Sequence, residues 1–476
     1  MNSNNPQTAG KQFPIYEDLV KAHFIAAIVY SLIVVLSGMS YALQFLNLYP
    51  FPGVELLSPG RVRMTHTMAV AYGWLANGFF AILHYVIPKL TGYATFSKKL
   101  GWICFWVFNA LVVLSELMIL SGFGQAVEWG ETPKELDPLI AIAAVLAVFN
   151  FLAPIWKARN KSFYVTVWYI TAALVWLPLV YVMGNFIPQY WMPGSGGAAI
   201  TSMYIHDLVG LFVTPLGVGL VYYLLPVLLK KPVYSHALSL TGFWGLAFFY
   251  PMNGAHHYLQ SPIPMWSQYA AIVASIGIHV VVYTVIFNYF ATMQGEYRKI
   301  VSSIPVRFIA VGSICYLLTC IQCAIHVTMS AQEIIHFTDW VPGHAHLVLF
   351  GTFSFWLYAW IYYLWPRIFK TELYSRTMCE WHFWLATVGV LVMWMDLLAA
   401  GVMQGYMWKN LVPFISSVEA TKPFWWTRAL AGTAILVSEF VFVVNIYMTW
   451  KYRRQAFSEQ KLNEPLTRST APESGK

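Results

Sequence analysis

Apolar residues run along this chain in blocks, parted by short polar stretches. Each block approaches the ~20 residues that an α-helix needs to cross a bilayer. Twelve spans can be read. They are Ala22–Leu46, Met64–Ile87, Leu100–Ser121, Pro138–Ile155, Tyr164–Ile187 and Met203–Leu229, then Leu238–Tyr258, Trp266–Met293, Phe308–Ala331, Gly343–Trp365, His382–Trp408 and Ala429–Trp450. A membrane β-barrel would show segments of about ten residues with alternating apolar positions instead. The pattern therefore predicts an all-α membrane protein with twelve transmembrane helices. It leaves a polar segment over residues 1–21, a twelve-span domain over 22–450 and a polar tail over 451–476. The joining loops are too short for a second soluble domain. The first twenty residues lack a basic start, short apolar run and small-residue cleavage site, so no signal peptide is expected.

Composition agrees: the 476 residues are 58% hydrophobic and 10% charged, whereas a soluble protein is about a quarter charged. The net charge of +8 alone would suggest nucleic acid. Its distribution argues otherwise. Of the 28 Lys and Arg, only Arg61, Arg63, Lys134, Lys409, Lys422 and Arg428 fall in loops after odd-numbered spans. The rest lie in the N-terminal segment, the loops after even-numbered spans and the tail. That is the positive-inside bias, which puts both termini in the cytoplasm. The basic charge is topological, the partner is the lipid bilayer, and no nucleic-acid partner is expected.

All five cysteines fall in or beside spans. Cys320 and Cys323 form a CxxC inside span nine, where inert packing is the expected role. No CxxCH occurs, so the chain attaches no c-type haem covalently.

With that orientation, six of the thirteen histidines share the outer side and a similar depth. His66 begins span two, His206 begins span six, His344 and His346 begin span ten, and His256 and His257 close span seven. Ionisable groups in a membrane are costly, and a cluster at one depth points to metals or a proton path. His23, His84, His236 and His382 sit near inner ends, where a charged interfacial histidine is unremarkable. His279 is isolated at mid-span and reads as structural. His326 and His336 flank the outer end of span nine as candidates to support a ligand.

Spacing adds chemistry. In "GHAH", residues two apart on a helix diverge by about 200° and climb about 3 Å. His344 and His346 therefore cannot chelate one small ion, but each suits a different planar cofactor on its own side of span ten. Haem iron accepts axial imidazole, and His66 is the available second histidine for a bis-histidine haem. His206, His256 and His257 are left as three imidazoles that suit copper, iron or zinc. Adjacent His256 and His257 cannot easily face one point from a regular helix; Pro251 and Gly254 just before them permit distortion.

These residues resemble the haem–copper oxidase superfamily, and most closely the catalytic subunit I of cbb3-type (C-family) cytochrome c oxidase. The resemblance runs from about Arg61 to Trp450 and includes "RVRMTHT", "YYLLPVLLKKPVYSHALS", "FYPMNGAHHYLQSPIPMW", "HFTDWVPGHAH" and "GVMQGYMW". It implies a subunit I-like bundle in the bacterial inner membrane that reduces O2 to water with electrons from c-type cytochrome. By resemblance, His66 and His346 ligate a low-spin haem b, and His344 is proximal ligand to a high-spin haem b. His206, His256 and His257 then hold copper (CuB), and Tyr250 is the active-site tyrosine that is cross-linked to the first copper histidine. Arg428, Asp339 and Trp340 are candidates to meet the haem propionates, and Glu128 in "EWGETPKELD" matches a calcium ligand. The acidic loop also reads as a solvated patch or a cytochrome docking surface. Tyr223, Ser235, Ser239 and Thr241 are candidate relay groups for protons from the cytoplasm. Electrons are expected from a membrane-anchored c-type cytochrome subunit, with other oxidase subunits as further partners and proton translocation as the coupled process.

The chain departs from the family pattern in places. Gln322 stands where a glutamate of span nine is usual, and Asp207 stands where asparagine is usual, while Glu116, Asp396 and Glu439 lie within spans. A nitric-oxide reductase of the same superfamily, with non-haem iron in place of copper and NO as substrate, is the main alternative. That branch usually carries a glutamate four residues after the first metal histidine, where this chain has Gly210, and it lacks the tyrosine. A proton-coupled secondary transporter is more remote, since it predicts internal repeats and none is evident along the chain.

Overall fold

In a computed structural model, residues 14–452 are described, and they form helices joined by short loops, with one isolated bridge residue at Thr371. The polar N-terminal segment through residue 13 and the tail from residue 453 lie outside the described residues. We label the long helices α1 Glu17–Leu46, α2 Pro59–Thr91, α3 Lys98–Leu120, α4 Asp137–Lys157, α5 Val165–Trp191 and α6 Ser195–Leu229. Then follow α7 His236–Asn253, prolonged by a 3₁₀ turn over Gly254–Tyr258, and α8 Met265–Met293, α9 Ile304–His326, α10 Trp340–Phe369, α11 Arg376–Lys409 and α12 Phe414–Tyr452. Each coincides with a span expected from the apolar blocks. Eleven are long and apolar enough to cross a membrane. The exception is α7, an 18-residue helix that carries Pro251 and hands over to the 3₁₀ turn.

The helices group into two compact units. One holds residues up to Ser37, Phe51–Gly219 and Tyr250–Gln268; the other holds Gly38–Pro50, Leu220–Phe249 and the chain from Tyr269. Three helices are far more enclosed than the rest. In α2, α6 and α10 an apolar 18-residue stretch is 89% buried, against at most 56% for the other eight. All three carry candidate ligands. In each, the α-helix widens to π-helix a few residues or less after a candidate ligand: Ala69–Ala76 after His66, Val209–Val213 after His206, and Leu347–Ser354 after His346. Such widenings shift the helical register locally and favour functional sites.

A threefold repeat does run through the chain, although apolar patterning shows none. "HYVIPKLTGYATFS" (84–97), "YYLLPVLLKKPVYS" (222–235) and "YYLWPRIFKTELYS" (362–375) share one frame. Each has a proline in the last turn of α2, α6 or α10, and four residues on Gly92, Lys230 or Lys370 takes the left-handed conformation that ends the helix. A serine five residues later caps the next helix: Ser97, Ser235 and Ser375 accept from Leu100 N, Leu238 N and Met378 N at 3.3, 3.2 and 3.3 Å. The backbone N–H of each serine donates to an asparagine of the following helix, Asn150, Asn288 or Asn445, at 3.0, 2.9 and 3.0 Å. Each asparagine thereby satisfies a backbone donor that a buried helix start would leave unpaired. The repeat escapes notice in the sequence because few side chains recur in it. It is a frame of four helices per copy, unlike the inverted repeats of transporters.

Candidate metal and haem site

His206, His256 and His257 meet in the first unit. Their ligand nitrogens all lie within 4.8 Å of one another, the arrangement expected of a three-imidazole metal site. His206 Nδ1 is 3.1 Å from His257 Nε2. The rings of His256 and His257 stack at 4.7 Å, so the adjacent pair does converge. The local backbone explains how. The regular helix stops at Asn253, and the 3₁₀ turn packs against α6. A Cβ on Gly254 would lie 2.4 Å from the Cα of Met203, one turn before His206, so only glycine allows the approach.

Tyr250 joins this cluster from the last turns of α7. Its ring lies 5.3 Å from that of His206 and nearly parallel, at 22°. It occupies space left by Gly210, where a Cβ would fall 2.1 Å from Tyr250 Cδ1. A side chain at position 210 and a tyrosine at 250 thus exclude one another in this packing. Asp207 is 2% exposed, with no partner for its Oδ1 among the described residues.

His66, also in the first unit, has Nδ1 2.8 Å from the carbonyl of Val34. In the second unit His346 Nδ1 is 2.6 Å from the carbonyl of Pro342. A carbonyl only accepts, so both rings carry their proton on Nδ1 and present Nε2 as the ligand atom, the usual support for a metal-bound imidazole. These two histidines fit axial ligation of haem iron. His344 is set differently. Its Nε2 lies 3.7 Å from the thiol of Cys323, and its ring meets that of His326 edge-on at 5.4 Å. His326, a candidate to support a ligand, thus lies against His344. Cys323, expected to be inert packing, lies against a candidate ligand, and Gln322 is turned to accept from Trp394 Nε1 at 3.0 Å.

The "GVMQG" stretch of α11 fixes the approach to His344. A Cβ on Gly401 would lie 2.2 Å from Trp340 N, and one on Gly405 1.7 Å from Ile334 O, so the loop before α10 rests directly on the helix. Between the glycines, Gln404 pairs twice with Asp339, donating to Oδ2 and accepting from the backbone N–H, both at 2.8 Å. Trp425 Nε1 donates to the same carboxylate at 2.9 Å. Arg428 is 6% exposed, meets Asp339 Oδ1 only at 4.0 Å and stacks over Phe45. A buried guanidinium held this loosely has donors to offer an anion.

Glu128 is exposed on the loop between α3 and α4. The acid that reaches α2 is Glu131: it is 1% exposed and accepts from Thr67 Oγ1 at 3.0 Å, next to His66. Burial pushes its carboxyl up to about 7. Both Tyr72 and Tyr204 donate to the carbonyl of Trp129 between these acids, at 2.7 and 2.9 Å. Nothing in the sequence separates Glu128 from Glu131, since packing alone decides which one turns inward.

The remaining candidates divide. His279 lies where α8 is interrupted, and its ring reaches the carbonyl of Cys320 at 2.9 Å, a structural role as expected. His23, His84 and His382 are 3%, 2% and 0% exposed, so they are buried rather than interfacial; His236 alone of that group is exposed. Thr241 is exposed and donates back to Ala237 O, while Ser235 and Ser239 bond to neighbouring backbone and Tyr223 stacks on Trp360.

Fold and site together define a polytopic helical membrane protein with a three-histidine cluster of metal-binding geometry. The family model described as "Cytochrome C and Quinol oxidase polypeptide I" matches residues 18–434. The chain belongs to that family, the haem–copper oxidase subunit I family. Among its relatives, the cytochrome c oxidase subunit 1 homolog of Agrobacterium tumefaciens is 28% identical, over 93% of this chain and 86% of the relative. The cbb3-type cytochrome c oxidase subunit CcoN1 of Stutzerimonas stutzeri is 27% identical, over 90% and 94%. A nitric oxide reductase chain of the same organism is more distant at 23%, over 92% and 95%. A solved heme-copper terminal oxidase dimer shares the fold, with TM-score 0.75 and 13% identity over 94% of this chain and 86% of its own.

Proposed function

We propose that this chain is the catalytic subunit of a cbb3-like terminal oxidase, carrying electrons from a c-type cytochrome to O2. The observation that carries the reading is Tyr250 lying flat on His206 beside the three-histidine cluster, in space that Gly210 keeps free. In this reading His206, His256 and His257 hold copper, His66 and His346 hold a low-spin haem b, and His344 holds a high-spin haem b. Bound haem and copper would supply the redox chemistry that takes four electrons and four protons to O2 and yields two waters.

The chain's own groups do the rest. The Val34 and Pro342 carbonyls fix the His66 and His346 rings so that Nε2 points out as ligand. Tyr250, held against His206, offers a phenolic hydrogen at the site where O–O cleavage needs both a proton and an electron. Arg428 is the anchor for a haem propionate, and Asp339, clamped by Gln404 and Trp425, keeps it in place. Glu128 offers the hard oxygen ligand that suits calcium.

The reading extends to the setting: a multi-pass protein of the bacterial inner membrane with cytoplasmic termini, working with cytochrome c-type and other oxidase subunits, and coupled to proton movement. The nitric-oxide reductase alternative needs non-haem iron and a glutamate near the second metal. Gly210 and Tyr250 both weigh against it. Oxygen and nitric-oxide consumption measured on one purified sample test the proposal. Oxygen turnover in excess supports it, and NO turnover without oxygen turnover overturns it.

A further inference from the structure

The three copies of the four-helix frame share the serine–asparagine lock, and in the third it continues inward through buried ionisable groups that end on a carboxyl, whereas the places matching Tyr362 in the other copies hold the buried His84 and Tyr222 with no acid beyond them. In that copy Asn445 Nδ2 donates to the Cys379 thiol at 3.1 Å, beside the half-buried Ser375 that starts α11. Cys379 and Tyr362 are neighbours. The Tyr362 hydroxyl also meets His382 Nδ1 at 2.9 Å. The His382 ring stands edge-on to Tyr358 with centroids 4.5 Å apart, and its Nε2 has no partner among the described residues. Tyr358 in turn donates to Glu439 Oε2 at 2.5 Å. Tyr358, Tyr362, Cys379, His382 and Glu439 are each no more than 1% exposed.

The other copies serve as internal controls. Counting back eight residues from the frame proline, Tyr358 corresponds to Phe80 and Val218. Counting seven on from the capping serine, His382 corresponds to Cys104 and Gly242. Counting back six from the lock asparagine, Glu439 corresponds to Ala144 and Val282. The same helical frame is therefore built twice without a carboxyl, an imidazole or a phenol at these places. The fold does not require them, and an acid buried in a membrane without structural need marks a proton path.

We propose that Cys379, Tyr362, His382, Tyr358 and Glu439 form a proton-conducting chain from the loop over residues 370–375 to Glu439, whose carboxyl takes up and releases the proton. A proton entering at the Ser375 and Asn445 end passes through the Tyr362 hydroxyl to His382 Nδ1. No hydrogen bond joins His382 Nε2 to Tyr358 at rest, so His382 releases its other ring proton from Nε2 when the imidazole turns toward the Tyr358 hydroxyl, and Tyr358 passes its hydroxyl proton to the Glu439 carboxylate. Only O–H, N–H and S–H bonds change, one proton moves per passage, and no electron is transferred. The chain is distinct from the relay candidates of α6 and α7. It rests on the oxidase reading only for the process that would drive it.

The test is infrared spectroscopy of the purified holoenzyme in H2O and after transfer to D2O, needing no turnover. Wild type is expected to show a protonated-carboxyl band that Glu439→Gln removes and that shifts in D2O. Tyr362→Phe and His382→Phe should keep the band and lose its D2O shift over the time in which wild type completes it. Tyr222→Phe, the matching position of the second copy, should leave both unchanged. Either of the two blocking variants decides alone if the other does not fold. A wild-type sample without the band overturns Glu439 as the proton holder, and an unchanged shift in Tyr362→Phe or His382→Phe overturns the route. Loss of oxygen turnover with normal exchange would overturn the oxidase reading and leave the chain standing.

Discussion

At the scale of single residues, Gly210 decides more than any ligand. The tyrosine of the site exists in its place because position 210 has no Cβ, which would fall 2.1 Å from the ring. Gly210→Ala is therefore expected to push Tyr250 off His206 and lower oxygen turnover by about 10²-fold, the usual cost of a 1 Å misplacement. Haem and copper content should stay near wild type, which metal analysis of the variant checks. A turnover within twofold of wild type would contradict the role given to Tyr250. Glu131 makes a second residue-scale prediction. Its carboxyl is raised from 4.5 to about 7 by burial, so the folded state holds the proton over that window while the unfolded chain releases it. Stability from this group is whole below about pH 4.5 and falls as pH rises to about 7, by about 3 kcal/mol from the linkage relation. Glu131→Gln should flatten this slope in thermal unfolding at pH 5 and pH 8. A slope unchanged by the substitution would show that Glu131 is not the group responsible.

At the scale of elements, the site is assembled by departures from regular helix: three π segments, one 3₁₀ turn and the close seat of a loop on α11. Gly405 is the sharpest of these, since a Cβ there would lie 1.7 Å from a backbone carbonyl. Gly405→Ala should displace the loop that carries Asp339, cost about 1–3 kcal/mol by overpacking and weaken haem retention, as read by absorbance per protein after purification. Retention equal to wild type would contradict the seating argument. The three serine–asparagine locks allow a comparison. Asn150→Ala, Asn288→Ala and Asn445→Ala each leave a half-buried backbone N–H without its side-chain partner, at about 1 kcal/mol. Thermal unfolding should place all three below wild type. Only Asn445→Ala should also slow exchange at Glu439, because only that asparagine touches the inward chain.

Much of the whole molecule was legible in the sequence, and what escaped has physical reasons. Apolar blocks gave twelve spans because the bilayer sets helix length, whatever the side chains are. The six histidines stood out because polar groups are rare at that depth, and two-residue spacing separated His344 from His346. The repeat stayed hidden because a proline, a left-handed turn and a capping serine define it, and none of these is apolar periodicity. Cys323 beside His344 and the inward turn of Glu131 depend on packing that spacing does not encode. The buried places of His23, His84 and His382 were missed because depth along a helix says nothing about which way a side chain faces. Topology remains a proposal at this scale, resting on Lys and Arg. Reporter fusions in the loops after Phe369 and after Lys409 should place the first in the cytoplasm and the second outside.

In the proposed oxidase one chain holds two haems and a copper, the copper on His206, His256 and His257. Metal and haem analysis of the purified protein, wild type and His256→Ala, tests it most directly. One copper per two haems is expected in wild type, and loss of the copper with both haems kept in the variant. Non-haem iron without copper in wild type would contradict it.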